Sequence, residues 1–242
     1  MCCERDTNSL SKRYAQTMEP YLLTAVLDKR ERNRLIAMCQ GIFTEQISKA
    51  NTIDDVDGVY TTGQTRVVLY VSDERRQYLE SIPRTRSLLV AQAFLSANKD
   101  AMAIIDSACR RVGEACGLEY AQLHEVELLA TPPQSPSQRP HRDSIYNLLA
   151  VFVYIRPGRT GSTWLAERFL AYNAKGKKDR LRKIPYEQYN ISPGDGIVMP
   201  GIWPHYGPGN ESTCMWRYII FITFALDAEA KQHWSDEDVY VL

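Results

Sequence analysis

The spacing of apolar side chains changes along this chain, from intervals of three and four in the first half to short runs in the second, with Gly117 near the point of change. Between Asp28 and Lys49, the residues Leu35, Ile36, Met38, Cys39, Ile42 and Phe43 recur among Lys, Arg and Glu at helical spacing, which predicts an amphipathic helix. A second helical block is predicted from about Ser87 to Ala115, carried by Leu88, Leu89, Phe94, Leu95, Ala101, Ile104, Ile105, Ala108 and Val112. Asn98-Lys99-Asp100 is expected to break that block in two, and Gly117 to end it.

Apolar residues then gather in β-branched and aromatic runs. Leu118 to Ala130, Tyr146 to Ile155, Ser162 to Leu165, Ile197 to Met199 and Trp216 to Leu226 each predict a strand, and the earlier run Arg66 to Val71 predicts another. Tyr146 to Ile155 is almost wholly apolar, as expected of a strand covered on both faces. Pro132-Pro133, Pro157-Gly158, Pro193-Gly194-Asp195-Gly196 and Gly207-Pro208-Gly209-Asn210 supply turn chemistry between them. Residues 1 to about 20 read as a frayed arm and 51 to 64 as a loop.

This order suits a mainly β, α+β fold: an antiparallel double-sheet barrel with N-terminal helices packed on the outside. The 242 residues are expected to form one domain, with a mostly helical part over 1–118, a β core over 119–226 and a tail over 227–242. Composition adds little beyond exclusions. Lys plus Arg and Asp plus Glu both number 29, so no global field favours nucleic acid or an acidic membrane surface. The six cysteines lack the Cys-x2-Cys spacing of a structural zinc site and read as free thiols in a reducing compartment. With no membrane-spanning run and no secretory h-region, a cytoplasmic protein is expected. The basic stretch from Lys175 to Lys183 reads as a solvated insertion, with phosphate contact as the alternative.

The candidate chemistry starts at Pro140-His141-Arg142-Asp143. In an extended chain His141 and Asp143 point to one side and Arg142 to the other. His205, in Trp203-Pro204-His205-Tyr206, offers a third donor, and two histidines with one carboxylate are the set that holds Fe(II) with open positions. Arg217 opens the apolar run Tyr218 to Leu226 and shares a strand face with Ile219, Phe221 and Thr223. A guanidinium placed there is buried and requires an anion, either a bound carboxylate or an internal partner such as Asp195 or Glu211.

These residues, taken with Pro193-Gly194-Asp195 leading into Ile197-Val198-Met199, resemble the Fe(II)- and 2-oxoglutarate-dependent oxygenases over residues 120 to 226. The stretch from Leu128-Leu129-Ala130 through Ser137-Gln138-Arg139-Pro140 is most similar to the phytanoyl-CoA dioxygenase-like branch. The resemblance implies a double-stranded β-helix of the jelly-roll, cupin-like kind. It also implies Fe(II) on His141, Asp143 and His205, and 2-oxoglutarate with its distal carboxylate on Arg217. Asn147 and Gln122 are implied as further co-substrate contacts. The implied activity is O2-dependent C–H oxidation of a small organic substrate, a secondary metabolite or amino-acid derivative, with succinate and CO2 as co-products. The family often has x-Ser after its Arg, whereas Tyr218-Ile219 stand here, so Tyr146 or Thr163 is expected to supply the hydroxyl.

Trp164, Trp203, Tyr206 and Trp216 are candidates for the pocket wall, while His124 reads as structural and His233 as exposed tail. Three other readings stand beside the small-molecule oxygenase: an oxygenase of protein or nucleic acid, a zinc hydrolase or lyase on the same three ligands, and a non-catalytic ligand-binding barrel.

Overall fold

The computed structural model describes residues 18–48, 65–73, 96–138, 140–141, 148–157, 162–166, 185–201 and 203–225. Asp143, Tyr146, Asn147, His233 and the Lys175 to Lys183 stretch lie outside the described residues. The elements in chain order are β1 (Tyr21–Leu23), α1 (Lys29–Ser48), β2 (Thr65–Val71), α2 (Lys99–Ala115), a 3-10 turn (Tyr120–Gln122), β3 (Leu123–Thr131), β4 (Leu148–Arg156), β5 (Ser162–Ala166), β6 (Tyr186–Asn190), β7 (Gly196–Pro200), β8 (His205–Tyr206) and β9 (Arg217–Ala225). Most of this is antiparallel sheet, with few helices. Six strands form one sheet in the order β1-β7-β4-β9-β3-β2, and three form another in the order β6-β5-β8.

The central strand β9 explains how one apolar run serves two cores. All nine of its residues are buried, and the pleat sends alternate side chains to opposite faces. Tyr218, Ile220, Ile222 and Phe224 join a cluster with Leu35, Cys39 and Phe43 of α1 and Ile105, Ala108 and Val112 of α2. Ile219 and Phe221 join the other cluster, with Leu129, Ala150, Tyr154, Leu165, Ile197, Met199 and Trp203. Since Leu165 belongs to β5, the second cluster lies between the two sheets. The helices contribute through the stripe predicted by their period. Leu35, Met38, Cys39, Ile42 and Phe43 of α1 are all buried, as are Ala101, Ile104, Ile105, Ala108, Cys109 and Val112 of α2. A forked contact from Arg111 to both carboxylate oxygens of Glu31, at 3.0 and 3.1 Å, ties the helices together. Partly exposed, it contributes about 1 kcal/mol at most.

Several boundaries differ from the expected ones for local reasons. The strand expected from Leu118 begins at Leu123, because Glu119 and Gln122 close a capping box on the intervening 3-10 turn. β1 and β6 were not expected from the sequence; β1 has only three residues, too few to show a period. The break at Asn98 is present, with α2 starting one residue later.

Gly194 turns the chain between β6 and β7. Its φ of +96° is left-handed, and a Cβ there would lie 2.3 Å from the Leu27 carbonyl oxygen. The turn is fixed on both sides: Gly194 N–H donates to the Tyr154 carbonyl, Leu27 N–H donates to the Gly194 carbonyl, and Ala25 N–H donates to Asp195 Oδ1. Gly194→Ala is expected to lower stability by about 2 kcal/mol or more, read as a fall in the urea midpoint at unchanged slope.

Among the described residues Cys39, Cys109, Cys116 and Cys214 are free, and of these four only Cys214 is exposed. Burial pushes the Cys39 and Cys109 thiols up to about 12, which keeps them protonated and unreactive at neutral pH. In alkylation by iodoacetamide at pH 8, mapped by peptide mass spectrometry, Cys214 is expected to be modified well before Cys39 and Cys109. Among the described residues no helix is long and apolar enough to cross a membrane.

Candidate metal and co-substrate site

Two histidines distant in sequence meet at the edge of the smaller sheet. His141 and His205 form an isolated antiparallel bridge, each donating its N–H to the other's carbonyl at 2.9 Å. Directly paired residues of antiparallel strands present their side chains on the same face, and the two rings lie 4.5 Å apart. The direction of that face follows from β5. Leu165, paired with His205, belongs to the cluster between the sheets, and the Phe152 ring of the opposite sheet lies 5.5 Å from the His205 ring. Both imidazoles therefore face the interior.

The chain segments around the pair hold it in register. Gln138 N–H donates to the Gly207 carbonyl, Gly207 N–H to Gln138 Oε1, Gly209 N–H to Ser137 Oγ and Asn210 N–H to the Ser135 carbonyl. The proline-rich loop before His141 is thus zipped to the glycine-rich loop after His205. Gly209 is required by this approach, since a Cβ there would stand 2.5 Å from the Ser135 carbonyl oxygen. Asn210, 1% exposed, donates from Nδ2 to the Thr131 and Met215 carbonyls and anchors the far end.

The His205 ring has a defined tautomer. Its Nδ1 lies 2.9 Å from the Trp203 carbonyl oxygen, which can only accept, so the proton sits on Nδ1 and the lone pair on Nε2. That is the form a metal requires. Two imidazoles at this separation, one of them with a fixed tautomer, fit a divalent transition metal. Among the described residues no group of three metal-ligating side chains is assembled, and Asp143, the expected carboxylate, is outside them.

Arg217 stands at the head of β9, 2% exposed, on the face of Ile219 and Phe221. Its Nη1 donates to the Pro208 carbonyl at 2.7 Å and its Nη2 to Thr131 Oγ1 at 3.2 Å, while Nε has no partner among the described residues. Asp195, one internal counter-ion considered from sequence, instead accepts the Ala25 N–H. Burial lowers the Arg217 pKa and the neighbouring Tyr154 opposes that shift, but a guanidinium remains charged throughout the working range. A buried cation with an unused N–H on the inner face fits a carboxylate ligand.

Thr163 and Tyr154 lie in the same region. Tyr154 is fully buried on the inner face, its hydroxyl 2.5 Å from Thr163 Oγ1, and burial raises its pKa so that it stays a phenol. The hydroxyl touching Arg217 itself is that of Thr131, which sequence reasoning missed; it pairs with Arg217 in register across β3 and β9. Gln122 has other work. Its Nε2 donates to the Ala225 carbonyl and its Oε1 accepts the Glu119 N–H, so the side chain caps a turn. Of the aromatic candidates, Trp203 joins the inner cluster, whereas Trp216 packs against the helix-side cluster. Tyr206 meets Tyr186 edge-on at 5.1 Å. His124 is wholly buried beside Ser72 Oγ, in keeping with a structural role.

This arrangement is a fold shared with non-heme, α-ketoglutarate-dependent enzymes of solved structure. The chain is similar to AviO1 from Streptomyces viridochromogenes Tue57, with a TM-score of 0.57 and 14% identity over 92% of this chain and 96% of that one. It is also similar to the non-heme α-ketoglutarate-dependent carbocyclase SnoK from nogalamycin biosynthesis, with a TM-score of 0.53 and 12% identity over 89% of this chain and 83% of that one. A third similar structure is the epimerase SnoN in complex with Fe3+, α-ketoglutarate and nogalamycin RO, with a TM-score of 0.52 and 13% identity over 90% and 83%. No family model and no curated protein matches the chain. At these identities the likeness establishes the fold, and the chemistry has to be argued from the residues.

Proposed function

We propose that the chain is a single-domain Fe(II)- and 2-oxoglutarate-dependent dioxygenase that oxidises a C–H bond of a small organic substrate, with O2 as oxidant and succinate and CO2 as co-products. The observation that carries this reading is Arg217: a buried guanidinium with an unused N–H, on the interior face that also receives the two histidines. A metal site alone fits zinc chemistry or ligand storage equally well. A dedicated carboxylate receptor on the same face favours a metal-bound keto acid.

In this reading His141, Asp143 and His205 hold Fe(II), and the jelly-roll barrel formed by the two sheets encloses them. Bound iron supplies the activation of O2 that a protein side chain cannot. This chain's own residues bind and orient. Arg217, assisted by Thr131, takes the distal carboxylate of 2-oxoglutarate in a forked geometry, with Asn147 as a second contact and the Tyr154–Thr163 hydroxyls nearby. The Trp203 carbonyl keeps His205 in the ligating tautomer. Phe152, Phe221, Ile219 and Leu129 keep bulk water from the space between the sheets, which strengthens each of these polar contacts. Within the superfamily, the motif running into Pro140-His141 supports a phytanoyl-CoA dioxygenase-like branch. Likeness to SnoK and SnoN supports a secondary metabolite as substrate. Free cysteines support a reducing, cytoplasmic setting.

The deciding experiment is 2-oxoglutarate turnover by purified protein. Succinate is expected to form only when Fe(II), 2-oxoglutarate and O2 are all present, and to be abolished by an iron chelator. Absence of succinate with Fe(II) demonstrably bound would refute the assignment.

A further inference from the structure

Beyond the residues assigned above, β3 and β9 carry three more polar side chains on the inner face of the large sheet. Glu125 and Glu127 are each 2% exposed and Thr223 1%. Glu125 pairs with Thr223 and Glu127 with Phe221 across β3 and β9. Paired residues share a face, so all three lie on the side of Leu129, Ile219 and Phe221, toward the smaller sheet. Thr223 Oγ1 is buried and has no hydrogen-bond partner among the described residues.

Their level along the strand is informative. Inner-face residues of β9 run Arg217, Ile219, Phe221, Thr223, with successive members roughly 7 Å apart. Phe221 stacks on Phe152 at 4.9 Å, and Phe152 lies 5.5 Å from His205, which places the histidine pair near the Phe221 level. Arg217 is then about 13 Å along the strand in one direction, and Thr223 with Glu125 about 7 Å in the other. On the oxygenase reading, the co-substrate would span the interval between Arg217 and the histidines. The reacting molecule is left the other side, where Ala150 pairs with Thr223 and the sheet face carries little bulk.

We propose that Glu125 and Thr223, with Glu127 one step nearer the metal level, form the substrate-recognition end of the site and select a substrate bearing a protonated amine; this rests on the oxygenase reading for the direction in which substrate lies. A primary ammonium has three donors, enough to reach a carboxylate and a hydroxyl together. A carboxylate has acceptor capacity for a neighbour within the chain and a ligand at once. In surroundings this dry, the carboxylates reject an anionic molecule and favour a cation over a neutral isostere.

The test uses the full chain, both metal-free and as the anaerobic Fe(II)–2-oxoglutarate complex. Phenethylammonium is titrated calorimetrically into each, beside 2-phenylethanol and 3-phenylpropionate. Saturable ammonium binding is expected in both states, on the order of 10-fold tighter than the alcohol, with no binding of the carboxylate. Glu125→Gln is expected to weaken ammonium binding by about 10-fold and Thr223→Val by about 3-fold. No ammonium binding, equal affinity for ammonium and alcohol, or unchanged affinity in Glu125→Gln overturns the proposal. If circular dichroism shows that Glu125→Gln does not fold, Glu127→Gln and Thr223→Val carry the same comparison. Failure of 2-oxoglutarate to bind the Fe(II)-loaded chain is a separate result, which overturns the oxygenase reading and leaves the metal-free titration to be judged by itself.

Discussion

Replacing Arg217 by Ala is expected to weaken 2-oxoglutarate binding by about 100-fold, with Fe(II) affinity largely retained. The estimate follows from the loss of a charge-assisted forked contact in a dry site, worth roughly 2–3 kcal/mol. Lys at the same position keeps the charge but not the planar fork, and it cannot reach the Pro208 carbonyl and Thr131 hydroxyl while also meeting a carboxylate. Arg217→Lys should therefore fall between wild type and Ala. The measurement is an anaerobic titration of 2-oxoglutarate into the Fe(II)-loaded protein, followed by visible absorption. Unaltered affinity in Arg217→Ala would mean that the buried cation serves only to tie β9 to the Pro208 loop.

His205→Ala and His141→Ala are each expected to reduce Fe(II) affinity by more than about 100-fold, since loss of a direct ligand exceeds the 10–100-fold typical of an outer-shell contact. Competition with a chromophoric chelator measures this directly. The two substitutions differ in structural cost. His141 and His205 meet through backbone hydrogen bonds that Ala preserves, but the His205 ring is 2% exposed and packs against Phe152, whereas His141 is only half-buried. His205→Ala should also lower the unfolding midpoint, while His141→Ala leaves it nearly unchanged. Metal affinity unaffected by both would remove the histidine pair from the site.

The parts of this picture legible in the sequence are those governed by local period. The stripe Leu35, Met38, Cys39, Ile42, Phe43 needs only helical geometry to predict which side is buried. The placement of Arg217 with Ile219 and Phe221 needs only the pleat of a strand. Pairings set by the third dimension were not legible. Thr131 reaches Arg217 across 86 positions of chain, through a register that no local pattern encodes. Gln122 looked available for co-substrate until its 3-10 turn and its bond to the Ala225 carbonyl were seen. Trp216 looked like a wall of the pocket, yet one residue of pleat separates it from Arg217 and sends it to the other face.

The zipper between the two loops has a consequence for how the protein is made. Asn210 bonds to the Thr131 carbonyl across 79 positions, and the histidine bridge likewise joins distant parts of the chain. Contacts of such separation form late, after nearby elements have already condensed. A growing chain that has emerged only as far as His141 therefore has the proline-rich half of the zipper without its glycine-rich partner, and the two imidazoles stand together only once His205 and the loop after it have followed.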